Sequence, residues 1–169
     1  MYYYQDSLFP SQTLQEPSSS YAPSMSLTML SNWQKRINNF QQALKLNDPQ
    51  PDPFQLNCYP LEFYRLTSAK TDPCIYFILD LSAQIILYIG ETQKANQRWQ
   101  GRHDCKRYLN NYLSIHQLHQ IPLQIHCSFW WQTSSTKTDR QYLEAQLIHY
   151  WKPPFNKENW QLWQTPFIN

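Results

Sequence analysis

A chain of 169 residues, 41% of them apolar, can close one core of ordinary size and carry an arm besides, and no stretch nears the roughly 18 apolar residues of a membrane span. The formal charge of +2 is unevenly spread: residues 1–73 hold 5 Lys and Arg against 6 Asp and Glu, and residues 74–169 hold 9 against 6. The basic surplus thus belongs to the C-terminal part, where it hints at a polyanionic partner.

Residues 1–26, rich in Ser, Pro, Gln and Tyr, show no hydrophobic periodicity and predict a disordered or loosely docked tail. The opening MYYYQDSLFPSQTLQEPSSS has neither the basic n-region nor the apolar h-region of a secretory signal. Cys58, Cys74, Cys105 and Cys127 contain no CxxC pair and are too sparse for a disulfide framework, so we expect reduced thiols in a cytoplasmic protein. HQLH gives Cys105, His116, His119 and His126 poor zinc-ligand spacing, and we read these as ordinary side chains.

From Leu30 the apolar positions run Leu30, Trp33, Ile37, Phe40 and Leu44, the spacing of an amphipathic helix, with Ser31 and Gln34 as a capping box and NDPQPDP as its stop. Pro49–Pro53 marks a linker, and FQLNCYPLEFYRLTSAKTDP reads equally as strand or loop. This helix and linker occupy residues 27–73, and a single domain is expected over residues 74–169.

Within that domain CIYFILDL and IILYIG are apolar, β-branched and aromatic runs joined by SAQ, the pattern of a β-hairpin. TQKANQRWQGRHDCKRYLNNYL follows as a basic helical stretch, and IPLQIHCSFWW as a third strand. TDRQYLEAQLIHYW predicts a helix that Thr138 and Gln141 cap, whose Leu143, Leu147 and Tyr150 or Trp151 line one face, and which Pro153 and Pro154 end. The order strand, strand, helix, strand, helix predicts a small α+β domain with an antiparallel sheet.

Only 2 glycines occur, Gly90 and Gly101, where average usage gives about 12, and both fall within LYIGETQKANQRWQGRHDCK beside Lys94, Arg98, Arg102, Lys106 and Arg107. Gly90 is expected to let the chain leave its strand close to a bound phosphate, and Gly101 to relax the helix beside Arg98. On the last helix Glu144 lies among Leu143, Leu147 and Ile148, an apolar setting in which a carboxylate needs a partner. Two strand tyrosines, Tyr76 and Tyr88, with Arg98, His103 and Glu144, are the parts phosphodiester cleavage requires: a cation for the developing charge, a base to activate water and a ligand for a Lewis-acid metal.

The chain resembles the GIY-YIG nuclease family over roughly residues 74–160. The tripeptides stand as CIY at Cys74–Tyr76 and YIG at Tyr88–Gly90, followed by Arg98 in QRW, Glu144 in RQYLEAQLI and Asn156 in PPFN, 12 residues after Glu144. The resemblance implies a small antiparallel three-stranded sheet flanked by helices, an endonuclease acting on DNA with RNA left open, and one divalent cation, Mg²⁺ or Mn²⁺, held largely by Glu144. It carries Tyr76 and Tyr88 over to water activation and phosphate positioning, Arg98 to the scissile phosphate and Asn156 to bracing the site. Lys94, Arg102, Lys106 and Arg107 are read as nucleic-acid contacts, and no membrane partner is expected.

Two positions depart from the family pattern. Cys74 replaces the first glycine, and Arg102 stands four residues after Arg98, where a histidine is common, with His103 at five. The competing reading is a catalytically silent nucleic-acid-binding module of the same fold. Retention of Glu144, both tyrosines and Arg98 favours the enzyme.

Overall fold

The computed structural model describes residues 25–45, 51–61, 72–95 and 104–168. Its elements in chain order are α1 (Leu27–Lys45), β1 (Cys58–Pro60), β2 (Cys74–Asp80), β3 (Ile85–Thr92), α2 (Asp104–Leu118), β4 (Ile125–Trp130), α3 (Lys137–Trp151), a 3-10 turn (Lys157–Asn159) and α4 (Trp160–Trp163). The expected tail lies outside the described residues up to position 24, as do residues 96–103 of the basic helical stretch, whose first residue, Thr92, ends β3 instead.

The continuous apolar run of β2 has a topological cause. The sheet order is β1-β4-β2-β3, all pairs antiparallel, so β2 is an inner strand and every one of its residues is buried. Cys74, Tyr76 and Ile78 face one cluster with Leu30, Trp33 and Ile37 of α1 and Tyr108 and Tyr112 of α2. Ile75, Phe77 and Leu79 face a second with Leu147, Ile148 and Trp151 of α3. A strand covered on both faces has no polar side to show, which removes the alternation that marks a half-buried strand.

The sheet has four strands, one more than expected, because Cys58–Pro60 within the ambiguous segment pairs with β4. The extra strand is short and ends in Pro60, which suits an edge. No described helix is long and apolar enough to cross a membrane.

α1 begins five residues before the Ser31 capping box would place it. Ser26 accepts the Met29 N–H at 3.2 Å, so the cap is Ser26, not Ser31. Leu30, Trp33 and Ile37 are buried as the spacing predicts, and Trp33 Nε1 donates to the Trp163 carbonyl at 3.0 Å. α3 is likewise capped two residues early: Thr136 Oγ1 accepts the Asp139 N–H, so Thr138 is not the cap. Lys152, which caps its C-terminus, takes a left-handed conformation, φ 48°, just before Pro153.

A polar cluster lies inside the first core. Tyr112 donates to Asp80 Oδ2 at 2.7 Å, and Gln34 Nε2 reaches both Tyr112 Oη and His116 Nε2. Asp80 Oδ1 accepts the Ser82 and Ala83 N–H groups and shapes the β2–β3 turn. Burial raises the Asp80 carboxyl above its ordinary range, against the lowering effect of these hydrogen bonds and of His116.

Candidate active site

β3 is an edge strand, and an edge leaves backbone groups that must be satisfied elsewhere. Four partners do this in turn. Gln41 of α1 accepts the Ile86 N–H at 2.7 Å and donates to the Ile86 carbonyl at 3.1 Å. The Phe155 N–H donates to the Leu87 carbonyl at 2.9 Å. Asn156 accepts the Ile89 N–H and donates to the Ile89 carbonyl, both at 2.9 Å. Glu144 Oε1 accepts the Glu91 N–H at 3.0 Å. The carboxylate expected to need a partner has one in that amide, and the asparagine serves as a brace through both ends of its amide.

The same strand carries a β-bulge. Ile78 pairs with Tyr88 but Leu79 with Ile86, so Leu87 is the extra residue. Ile85 and Leu87 pack into the α1 and α2 cluster and Ile86 into the α3 cluster; strict alternation would then send Tyr88 to the α3 side. The extra residue returns it to the face of Tyr76, where the two rings lie 6.1 Å apart at 31°. The bulge thereby brings the two tyrosines together.

Gly90 is required by Tyr76, its direct cross-strand partner. A Cβ at position 90 would meet Cζ and Oη of the tyrosine and come within 2.8 Å of its Cε1. Gly90 has no positive φ, and β3 continues to Thr92. Room for the tyrosine ring, rather than an exit from the strand, is therefore the constraint seen at this glycine.

Tyr88, Glu144 and Asn156 line one cleft of about 910 Å³, with Cys105 and Tyr108 of α2 and Lys152 and Lys157 beyond α3. Tyr76 is wholly buried, 0% exposed, and reaches this region through Tyr88. Lys94 and Arg107 are exposed and Lys106 is half-buried; none of the three lines the cleft, although the Arg107 guanidinium lies 5.3 Å from the ring centre of Tyr108, which does. Arg98, Gly101, Arg102 and His103 lie outside the described residues.

Cys74, first residue of CIY, is fully buried, and burial pushes its thiol up to about 12 despite the opposing pull of Arg140. A thiol so raised is no nucleophile at neutral pH. Among the described residues no three of His, Cys, Asp and Glu group as a metal cage. Among the described residues the carboxylates in the cleft wall are Glu144 and Glu158. This donor set fits a hard cation that needs one or two carboxylates and fills its shell with water and phosphate oxygens.

A model of the GIY-YIG catalytic domain matches residues 72–159. The chain belongs to the GIY-YIG family. Its members are nucleases that act on nucleic acids, and the matched span holds Tyr76, Tyr88, Glu144 and Asn156. Comparison with curated proteins and with solved structures gives no match.

Several residues around the cleft carry no sequence signal of their role. Gln41, 0% exposed, also donates to the Trp151 carbonyl at 3.1 Å, tying α1 to β3 and to the end of α3. Arg140, 1% exposed, faces Glu91 at 3.4 Å as a charge contact without hydrogen-bond geometry, and Nη1 donates to the Ser134 and Ser135 carbonyls. Arg140 and Glu144 are one helical turn apart, so α3 grips Glu91 by its carboxylate and by its amide. His149 is exposed and lines the cleft.

Proposed function

We propose that this GIY-YIG nuclease is an endonuclease that hydrolyses DNA phosphodiester bonds using one divalent cation, Mg²⁺ or Mn²⁺, held by Glu144. The observation that carries the reading is the gathering in one cleft of Tyr88 of β3 with Glu144 of α3 and Asn156 of the segment after it, although both lie more than 50 residues further along the chain. When bound, the cation supplies Lewis-acid stabilisation of the phosphate and lowers the pKa of water.

The chain's own residues supply the rest. Asn156 and Glu144 hold β3 from its open edge, which fixes Tyr88 in the cleft wall. The Tyr88 hydroxyl positions the phosphate and the attacking water, and Tyr76 orients the Tyr88 ring from the core. Arg98 neutralises charge developing on the phosphate, and His103 serves as a proton carrier. Lys94, Arg102, Lys106 and Arg107 hold flanking phosphates. The protein works in the cytoplasm, a setting that suits four cysteines none of which is in a disulfide.

The test is cleavage of supercoiled, linear, branched and single-stranded DNA in Mg²⁺, Mn²⁺ or chelator. Cleavage of at least one DNA that needs the cation is expected. Binding without cleavage in either metal would make the chain a silent binding module, and cleavage of RNA but not DNA would overturn the substrate.

A further inference from the structure

The cleft at Glu144 does not end at α3. A second hollow of about 570 Å³ adjoins it and shares Ala145 and His149 with it. The two hollows differ in chemistry. The first is charged, with Glu144, Lys152, Lys157 and Glu158 in its wall; the described residues that line the second, Tyr142, Gln146 and Tyr150 among them, include no Lys, Arg, Asp or Glu. Tyr142, Ala145 and His149 follow at i, i+3 and i+7 and so share one face of α3. Tyr142 is 67% exposed, and Ala145 between the hollows is the smallest side chain of the three.

We propose that the second hollow is a nucleobase subsite in which one base of the substrate strand stacks on Tyr142, next to the nucleotide whose phosphate lies at Glu144. The inference rests on the endonuclease reading and narrows its substrate. A nucleic acid strand alternates anionic phosphates with flat uncharged bases, and the groove alternates in the same way. Ala145 lets the sugar-phosphate chain cross α3 closely between the two. A base paired and stacked within a duplex cannot also stack on Tyr142 without leaving its helix. The subsite therefore selects DNA that is single-stranded or branched at the cleavage position, because every base has a face an aromatic ring can cover.

The test is a binding titration of the full chain in chelator, so that the DNA stays intact, with a fluorescent single-stranded oligonucleotide and its duplex. Tyr142→Ala should weaken single-strand binding by about 5- to 150-fold, the range that ~1–3 kcal/mol per stacked base implies, and leave duplex binding unchanged. Tyr142→Phe should bind as wild type. Replacing nucleotides one at a time by abasic sites should reveal one position that costs wild type affinity and costs Tyr142→Ala none.

Equal binding by wild type and Tyr142→Ala, or an equal loss for intact and abasic strands, would overturn the subsite while leaving the nuclease reading in place. A wild-type chain that bound no DNA would remove both. Sedimentation showing that Tyr142→Ala dissociates a dimer would assign the hollow to a second copy of the chain instead.

Discussion

Asn156 and Ile89 are hydrogen-bonded to each other twice, the Ile89 N–H to Oδ1 and Nδ2 to the Ile89 carbonyl, each at 2.9 Å. Both amide ends of Asn156 are committed to one residue of β3, so it acts in the site by placing Tyr88, one residue away, rather than by touching a cation. Asn156→Ala leaves a buried donor and acceptor without partners and should destabilise the fold by about 1–3 kcal/mol. Asn156→Asp keeps the acceptor but turns an anionic oxygen towards the Ile89 carbonyl, and should destabilise at least as much at neutral pH. Denaturant unfolding of the two variants checks the order; Asp behaving as wild type would contradict the bonding.

Gly90 and Tyr76 form a second coupled pair. Gly90→Ala drives a methyl into the tyrosine ring and should cost about 1–3 kcal/mol by overpacking. Gly90→Ala combined with Tyr76→Val should be less destabilised than the two single effects added together, since the valine vacates the space. Additive losses in that double-mutant cycle would show that the glycine is needed for another reason.

Gln41 lies outside the matched domain yet satisfies β3 at the residue preceding the bulge. Gln41→Leu fills the same space without hydrogen bonds and strands the Ile86 N–H. We expect a loss of at least about 2 kcal/mol, or roughly 4–8 °C in Tm for a chain of this length. A fragment lacking α1 should also lose the cover of Leu30, Trp33 and Ile37 and fail to fold cooperatively, a result thermal unfolding of both proteins would show.

Asp80 gives a pH prediction whose sign follows from burial. Its folded-state pKa is raised, so the folded chain holds the proton more tightly than the unfolded chain. Its contribution to stability is complete below the ordinary value of 3.8 and is lost as pH rises through the raised value. Asp80→Asn keeps the shape and cannot ionise. The stability of wild type relative to this variant should fall as pH rises from 3.8; a difference that stayed level or rose would reverse the assignment.

The residues proposed to carry chemistry were legible because they sit in short motifs with fixed order: CIY, YIG, the helical glutamate and PPFN lie on β2, β3, α3 and the segment after it. The strands and the buried face of α1 were legible from composition and spacing. The bulge at Leu87 was not, because a run such as IILYIG is apolar at every position and gives no phase from which a skipped register could be read. The caps at Ser26 and Thr136 were missed because several hydroxyl residues compete near each helix start and only backbone geometry chooses among them. Gln41 was invisible for a related reason: a glutamine on a helix is ordinarily solvated, and only the tertiary contact with the β3 edge buries it.

Glu144→Gln separates binding from chemistry more sharply than any other change. Glutamine retains an oxygen able to accept the Glu91 N–H, and it fits beside Leu147 and Ile148, so the β3 edge and the fold should be preserved. The change removes the negative charge proposed to anchor a divalent cation. DNA affinity should persist or rise, since a carboxylate near phosphates repels them when no cation intervenes. Single-turnover cleavage should fall by at least ~10², the scale of losing one main electrostatic group from an active site. Arg140→Lys offers a contrast: it keeps a charge opposite Glu91 but loses the fork that holds the Ser134 and Ser135 carbonyls, so it should lower stability before it lowers the rate of the folded enzyme. Undiminished cleavage by Glu144→Gln, measured beside a binding titration in Mg²⁺, would remove this glutamate from the mechanism. A variant that neither bound nor folded would instead assign Glu144 only to holding the end of β3.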